Sequence, residues 1–296
     1  MQGSLALHKG SVFVGRYEKT AHVTVHSLDG HPLAGGFSFR DEAVGRSSVS
    51  GLSVDDDRRI WVADAPAARV RTFTLFGAEV GEFCDSEGER ASPRDLLGQL
   101  GVPVDVCADG DADEERVLVA SAGRRRYALS LYDVTGRLQR SLRPVGDPDA
   151  LFHGIEGIAL LGKYAYAAES AARQVQVFRD AEFHFAFSVP SRKGPFEPTA
   201  VAPLEDGRML VTVRGRASAL LLVDGAGRLL ETLACSGSAE GELENPSDVV
   251  VEEHGADRET RLAVIDRDGN RVQVFNLEGR CYGAFLEGGA ASAGSH

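Results

Sequence analysis

Arg271-Val-Gln-Val-Phe-Asn-Leu-Glu-Gly-Arg280 decides the fold, because it recurs in blurred form along the chain. Arg69-Val-Arg-Thr-Phe-Thr-Leu-Phe-Gly-Ala78 is one copy, Arg173-Gln-Val-Gln-Val-Phe-Arg-Asp-Ala-Glu182 another, and Leu129-Ser-Leu-Tyr-Asp-Val-Thr-Gly-Arg137 a third. Near-copies spaced at about 50 residues describe an array of one supersecondary unit. Around Arg271 the unit has four short apolar or alternating runs, here lettered a to d. They are Asp248-Val-Val-Val-Glu, Arg261-Leu-Ala-Val-Ile-Asp, Arg271-Val-Gln-Val-Phe and Cys281-Tyr-Gly-Ala-Phe. Such runs, bounded by Asp268-Gly269-Asn270 and Glu278-Gly279, read as buried strands joined by tight turns.

The same four-part reading works upstream from Ser4, Leu52, Val104, Ile158 and Val201, which makes six copies in all. One segment reads as helical: Ser92-Pro-Arg-Asp-Leu-Leu-Gly-Gln-Leu100, with Ser92 as N-cap and Pro93 at the first helical position. Antiparallel four-stranded sheets leave exposed edges unless they close on themselves, and radial closure removes the problem. The expected fold is therefore all-β, a six-bladed β-propeller of four-stranded antiparallel blades over residues 1–286, with a Gly/Ala/Ser-rich tail at 287–296. Copy one begins with its own innermost strand and copy six ends with its own outermost one. Closure then rests on packing between blades, with no blade shared by the two ends.

Glu244-Asn-Pro-Ser-Asp-Val-Val-Val followed by Ala263-Val-Ile-Asp-Arg-Asp-Gly-Asn-Arg-Val-Gln-Val-Phe275 resembles an NHL repeat, as does Ile60-Trp-Val-Ala-Asp-Ala-Pro-Ala-Ala-Arg-Val70. The resemblance covers roughly residues 4–286 and is carried mainly by copies two and six. It implies a six-bladed propeller used mostly as a rigid binding platform, with some secreted relatives acting as lyases or lactonases.

Bulk properties narrow the function. A net charge of −12 disfavours a general nucleic-acid surface, which wants a basic footprint. No apolar run approaches the ~20 residues of a membrane span. No basic-then-apolar leader opens the sequence, so a cytoplasmic location is the expectation. Cys84, Cys107, Cys235 and Cys281 are far apart, without the spacing of a metal or disulfide framework, and read as small strand residues.

Candidate chemistry is sparse. Asp64 with Arg69, Glu169 with Arg173, and Asp266 with Arg271 repeat as an acid four or five residues before an arginine. A catalytic pair would be singular, so the repeated pair reads as a structural brace. At the expected starts of strand a, only Glu156, Thr199 and Asp248, with nearby Asn245 and His153, are polar. That falls short of the oxygen set of a calcium site or the ligands of a zinc site, so no metal or cofactor is expected. His22 and His26 alternate on one strand face, and Trp61 reads as packing.

Charge placement points to a surface instead. The a–b loops are rich in acids, such as Asp55, Asp56, Asp57, Asp109 and Glu252. The b–c loops carry arginines, of which Arg16, Arg124, Arg125, Arg126, Arg214, Arg216 and Arg267 form a candidate docking face. The reading favoured by the sequence is a non-catalytic binding module for a protein or peptide partner. Alternatives are an RNA- or anion-binding propeller using the same arginines, and a metal-assisted lyase or lactonase.

Overall fold

The computed structural model describes residues 3–17, 20–83, 101–111, 114–123, 127–144, 152–188, 196–215 and 217–285. They form six antiparallel four-stranded sheets, each built from consecutive strands of the chain. Blade 1 is β1 (Gly3–His8), β2 (Ser11–Tyr17), β3 (Ala21–Ser27) and β4 (Pro32–Phe39). Blade 2 is β5 (Gly51–Val54), β6 (Arg59–Asp64), β7 (Arg69–Thr74) and β8 (Glu79–Phe83). Blade 3 is β9 (Val102–Asp111), β10 (Glu114–Ala122), β11 (Tyr127–Asp133) and β12 (Leu138–Leu142). Blade 4 is β13 (Ile155–Leu161), β14 (Tyr164–Glu169), β15 (Gln174–Arg179) and β16 (Glu182–Phe187). Blade 5 is β17 (Glu197–Pro203), β18 (Met209–Arg214), β19 (Ala219–Val223) and β20 (Leu229–Ala234). Blade 6 is β21 (Pro246–Glu252), β22 (Arg261–Asp266), β23 (Arg271–Phe275) and β24 (Cys281–Phe285).

The first strands of the six blades touch in the cyclic order β1, β5, β9, β13, β17, β21 and back to β1. The fold is a closed six-bladed β-propeller, as the repeat requires. No α-helix occurs among the described residues, and none there is long and apolar enough to cross a membrane. The helical reading of Ser92–Leu100 and the tail at 287–296 lie outside the described residues.

The core is distributed between blades. Six apolar clusters occupy the six boundaries: Leu5, Val12 and Ile265 between blades 6 and 1, for example, and Trp61, Val117 and Tyr132 between blades 2 and 3. The b and c strands run nearly continuously apolar because neighbouring blades cover both their faces.

The c–d turns explain a glycine repeat that the sequence alone left as turn chemistry. Gly30, Gly77, Gly136 and Gly227 all have positive φ, +79° to +83°, which favours glycine. A Cβ on each would lie within 3 Å of a phenylalanine on strand d of the preceding blade: Phe285, Phe37, Phe83 and Phe187 respectively. The turn is locked locally by its φ and tertiarily by the ring pressed against it. Blade 4 departs from the pattern, turning through Asp180 and Ala181 at φ 52° and 61°.

Closure joins blade 6 to blade 1 without a shared sheet. Asp248 Oδ2 accepts hydrogen bonds from Leu5 N (2.7 Å) and Ser4 Oγ (2.9 Å), and the Glu252 carboxylate accepts from Gly10 N. His26 stacks on Phe285 with ring centroids 4.9 Å apart, so this histidine belongs to the packing of the boundary. Burial lowers its pKa.

Candidate functional site: the axial channel and its mouths

Strand registers align one position on strand a of every blade: Ser4, Gly51, Asp105, Gly157, Ala200 and Asp248. These residues ring the propeller axis. Their polar members fasten one blade to the next. Ser4 Oγ accepts from Leu52 N (3.1 Å) and Asp105 Oδ2 accepts from Ile158 N (2.9 Å), while Thr199, the bulge residue just before Ala200, donates from Oγ1 to Pro246 O (2.9 Å). The glycines allow close approach: a Cβ on Gly51 would lie 2.4 Å from Asp105 Oδ1, and one on Gly157 2.7 Å from Thr199 O.

Asp105 and Asp248 therefore stand on blades opposite one another across the axis. Burial drives both carboxyls upward, Asp248 to about 6, and the charge of Asp248 adds to the rise at Asp105. Their backbone hydrogen bonds pull the other way without cancelling the effect. The sequence pointed to Asp248 but missed Asp105 and Ser4, because in copy three the polar positions compared at the channel mouth were Gly101–Pro103, just before the expected strand a at Val104, and none were compared in copy one. The signal was present: Pro103-Val-Asp-Val repeats Pro246-Ser-Asp-Val. Ten-residue β9 with its register shift opposite Ala120 and Ser121 displaced the count.

Two cavities open from this waist. One, of about 380 Å³, lies on the side of the a–b loops and includes Cys107, Glu205 and Glu253. The other, about 720 Å³, is the mouth on the side of the b–c turns. Its wall carries Arg46, Arg214 and Arg267, the rings of Tyr17 and Tyr127, and the hydroxyl-bearing Ser48, Ser50 and Ser247. Glu156 is the acid at the rim, and Asp105 and Asp248 form the floor.

The position at the end of strand b, beside the mouth, is occupied around the ring by Arg16, Asp64, Ser121, Glu169, Val213 and Asp266. The three carboxylates there are buried braces. Asp64 Oδ1 accepts from Ser48 N (3.0 Å), Glu169 Oε1 from His153 N (2.8 Å), and Asp266 Oδ1 from Glu244 N and Asn245 N (both 2.9 Å). Each ties its own d–a connection onto the blade. Asp266 is also bonded by Arg271 Nε at 3.1 Å, the expected pair. The other two expected pairs differ. Asp64 is approached by Arg71 Nη1 at 3.5 Å, while Arg69 turns outward to Glu82 at 2.7 Å. Glu169 is met by the amides of Gln174 and Gln176.

Blade 1 puts Arg16 where these braces stand, and blade 5 puts Val213 there with Arg214 as the next residue. Arg16 is only 5% exposed. Arg214 bridges two blades, its guanidinium bonded by both terminal nitrogens to Glu156 and by Nε to Glu197 at 3.2 Å. Arg267 is half-buried at the mouth, and Arg46, which the sequence reading did not single out, is exposed there. Arg124, Arg125, Arg126 and Arg216 lie outside the described residues.

Two chains solved in protein assemblies share this fold. One belongs to the crystal structure of a nidogen/laminin complex, with TM-score 0.64, 14% identity and 94% of each chain covered. The other is from the outer coat vertex of COPII on membranes, with TM-score 0.61 and 13% identity over 96% of this chain and 75% of that one. Virginiamycin B lyase from Staphylococcus aureus aligns with TM-score 0.60 and 10% identity over 97% and 85%. These likenesses show the fold. No family model matches the chain, and neither does any curated protein.

The a–b side corrects another expectation. Its acids are interleaved with bases and largely paired: Arg59 with Asp55 (2.7 Å) and Glu115 (3.0 Å), Arg208 with Asp206 and Asp257 (both 2.6 Å). Asp55 is buried and also accepts from the Trp61 indole Nε1 at 2.8 Å, so Trp61, 1% exposed, is a packing residue with a satisfied donor. Cys107, Cys235 and Cys281 are free thiols; Cys107 is pushed up to about 12 by burial, whereas Cys235 is exposed, not a buried strand residue. Among the described residues no three His, Cys, Asp or Glu side chains gather as a metal site requires.

Proposed function

We propose that this chain is a non-catalytic binding module, a rigid β-propeller that docks an acidic protein or peptide segment on its b–c side. The observation that carries this reading is the 720 Å³ mouth, where Arg46, Arg214 and Arg267 share a wall with two tyrosines and three serines. Arginine and tyrosine are the side chains that most often anchor protein interfaces, and the serine hydroxyls supply adaptable hydrogen bonds. Arg214 is held in place by Glu156 and Glu197, so it meets a ligand pre-oriented. On the sequence reading, Arg124, Arg125, Arg126 and Arg216 extend this set along the b–c connections. Arg16 is buried and would support the mouth from beneath.

Two further observations support the reading. The resemblance of copies two and six to NHL repeats implies a binding platform. The nidogen/laminin and COPII chains of similar fold both come from protein assemblies. The test is a phage-displayed peptide selection on the wild-type chain and an Arg46→Glu/Arg267→Glu variant. Selection of Asp/Glu-rich peptides by the wild type, lost in the variant, is the expected result. Equal enrichment on both, or no acidic preference, would refute it. Binding of single-stranded RNA with a steep salt slope would instead favour the nucleic-acid reading.

A further inference from the structure

The repeat supplies its own standard for what belongs at each position, and two departures from it lie on the a–b and c–d side of the disk. The c–d turns of five blades share one geometry, in which the N–H of the glycine donates to the carbonyl three residues before it. The residue after that carbonyl is Leu28, Leu75, Val134 and Leu277 in blades 1, 2, 3 and 6. Each of these side chains packs into the apolar cluster at the boundary with the preceding blade. In blade 5 the same position is Gly225, and no side chain is there to fill the boundary with blade 4.

The consequence is a groove of about 570 Å³ beside Gly225. Tyr166, Leu204 and Met209 are its buried floor; Leu161, Tyr164 and Phe185 form its walls. Lys163 and Glu205 stand at its edge. The groove is thus an apolar socket whose plug the chain omits.

The second departure is an apolar plug with no socket. The next turn position holds Asp29, Thr135, Ala226 and Glu278 in blades 1, 3, 5 and 6, but Phe76 in blade 2. Phe76 is 86% exposed, more than any other large apolar side chain among the described residues. Its turn is rigid, because Gly77 is locked by φ +81° against Phe37. The a–b turn of the same blade, Asp56-Asp57-Arg58, offers charges opposite in sign to Lys163 and Glu205.

We infer that two copies of this chain pair face to face through the a–b and c–d side, with Phe76 of each seated in the blade 4–blade 5 groove of the other. A two-fold axis lying between two apposed faces exchanges a feature on blade 2 with one near blade 5, so both plugs can be seated in one closed, isologous contact. A rigid aromatic anchor entering a preformed apolar pocket is the usual centre of such an interface. Asp56 and Asp57 then approach Lys163 of the partner while Arg58 approaches its Glu205, which fixes the register. The b–c mouths are left facing outward on both sides, so the pair presents two docking sites to a multivalent partner.

Sedimentation equilibrium of the full chain tests this with two variants. Phe76→Ser removes the plug at a site whose side chain contributes little to the fold. Gly225→Leu restores the residue type of the other blades and fills the socket from within; its φ is not left-handed, and an added Cβ would meet only Gly207 O at 3.2 Å. The expected result is a wild-type dimer at micromolar concentration and a dissociation constant raised at least about 100-fold in either variant, because a homodimer of variant chains loses both buried phenylalanine contacts. Thermal unfolding of Phe76→Ser, compared at concentrations where both chains are monomeric, should be unchanged. A photo-crosslinking residue at position 76 should join differently labelled copies at peptides containing 161–166, 184–185 or 204–209. A monomeric wild type at 100 µM loading, dimerisation indifferent to both variants, or crosslinks elsewhere would overturn the inference. The Arg46→Glu/Arg267→Glu variant leaves dimerisation intact, which separates this contact from the docking mouth.

Discussion

Gly77→Ala tests the turn-against-phenylalanine lock most directly. Two costs should add. The first is conformational: an alanine at φ +81° pays for the left-handed backbone, about 1–2 kcal/mol. The second is steric, because the new Cβ would sit 2.3 Å from Phe37 Cβ and 2.4 Å from its Cγ, and the ring base cannot retreat without moving strand d of blade 1. Overpacking of this kind costs about 1–3 kcal/mol. Gly255→Ala is the matched control, since Gly255 has φ +72° with nothing within 4 Å of an added Cβ. Urea unfolding followed by far-UV circular dichroism should therefore place Gly77→Ala about 1–3 kcal/mol below Gly255→Ala, a further fall in Tm of roughly 2–6 °C. A double-mutant cycle with Phe37→Ala should show Gly77→Ala costing less once the ring is gone. If the two glycine variants are equally stable within about 0.5 kcal/mol, or the cycle shows no coupling, the phenylalanine contact does not constrain the turn.

Asp248→Asn probes the axial carboxyls. Because the folded pKa of Asp248 is raised to about 6, its contribution to stability is fully present below the unfolded pKa near 4 and is lost as pH rises through 6. Asparagine cannot ionise, so urea midpoints should show the advantage of the wild type over the variant shrinking between pH 4 and 7, by roughly 2–3 kcal/mol. A constant or widening gap would mean an ordinarily ionised carboxylate. Trp61→Phe should lose about 1–3 kcal/mol, because Asp55 forfeits the indole donor while the ring packing is largely kept. As the chain has one tryptophan, circular dichroism must replace fluorescence in that measurement, and an unchanged midpoint would deny the hydrogen bond any weight.

Much of the architecture was readable beforehand because period-2 strands and turn residues repeat: the six blades, the order of strands and the unshared closing boundary were all in the pattern. Side-chain partners were less readable. Asp64 and Arg69 are register partners across β6 and β7, as the spacing implied, yet Arg71, two residues along the same face, reaches the buried carboxylate while Arg69 finds Glu82 in solvent. A hairpin spacing specifies which residues face one another, not which of two long guanidinium arms is the better desolvated partner. The channel was half legible for a different reason. Asp248 sits where strand a was expected, but the longer β9 hid Asp105 until register placed the two opposite each other. The groove was not legible at all, since it consists of one side chain missing at Gly225 and can be noticed only when the turns are superposed.

The boundary between blades 6 and 1 is the one joint of the ring with no peptide link across it. Five neighbours are tethered by the chain itself, so a transient parting there re-closes at high local concentration. Tension applied between the first and last strands would fall on the bonds of Asp248 and Glu252, the His26–Phe285 stack and the apolar cluster of Leu5, Val12 and Ile265, and the disk would spring open as a split washer does. Recutting the polypeptide at another d–a connection and splicing the present ends would move that weak joint elsewhere without altering a single blade.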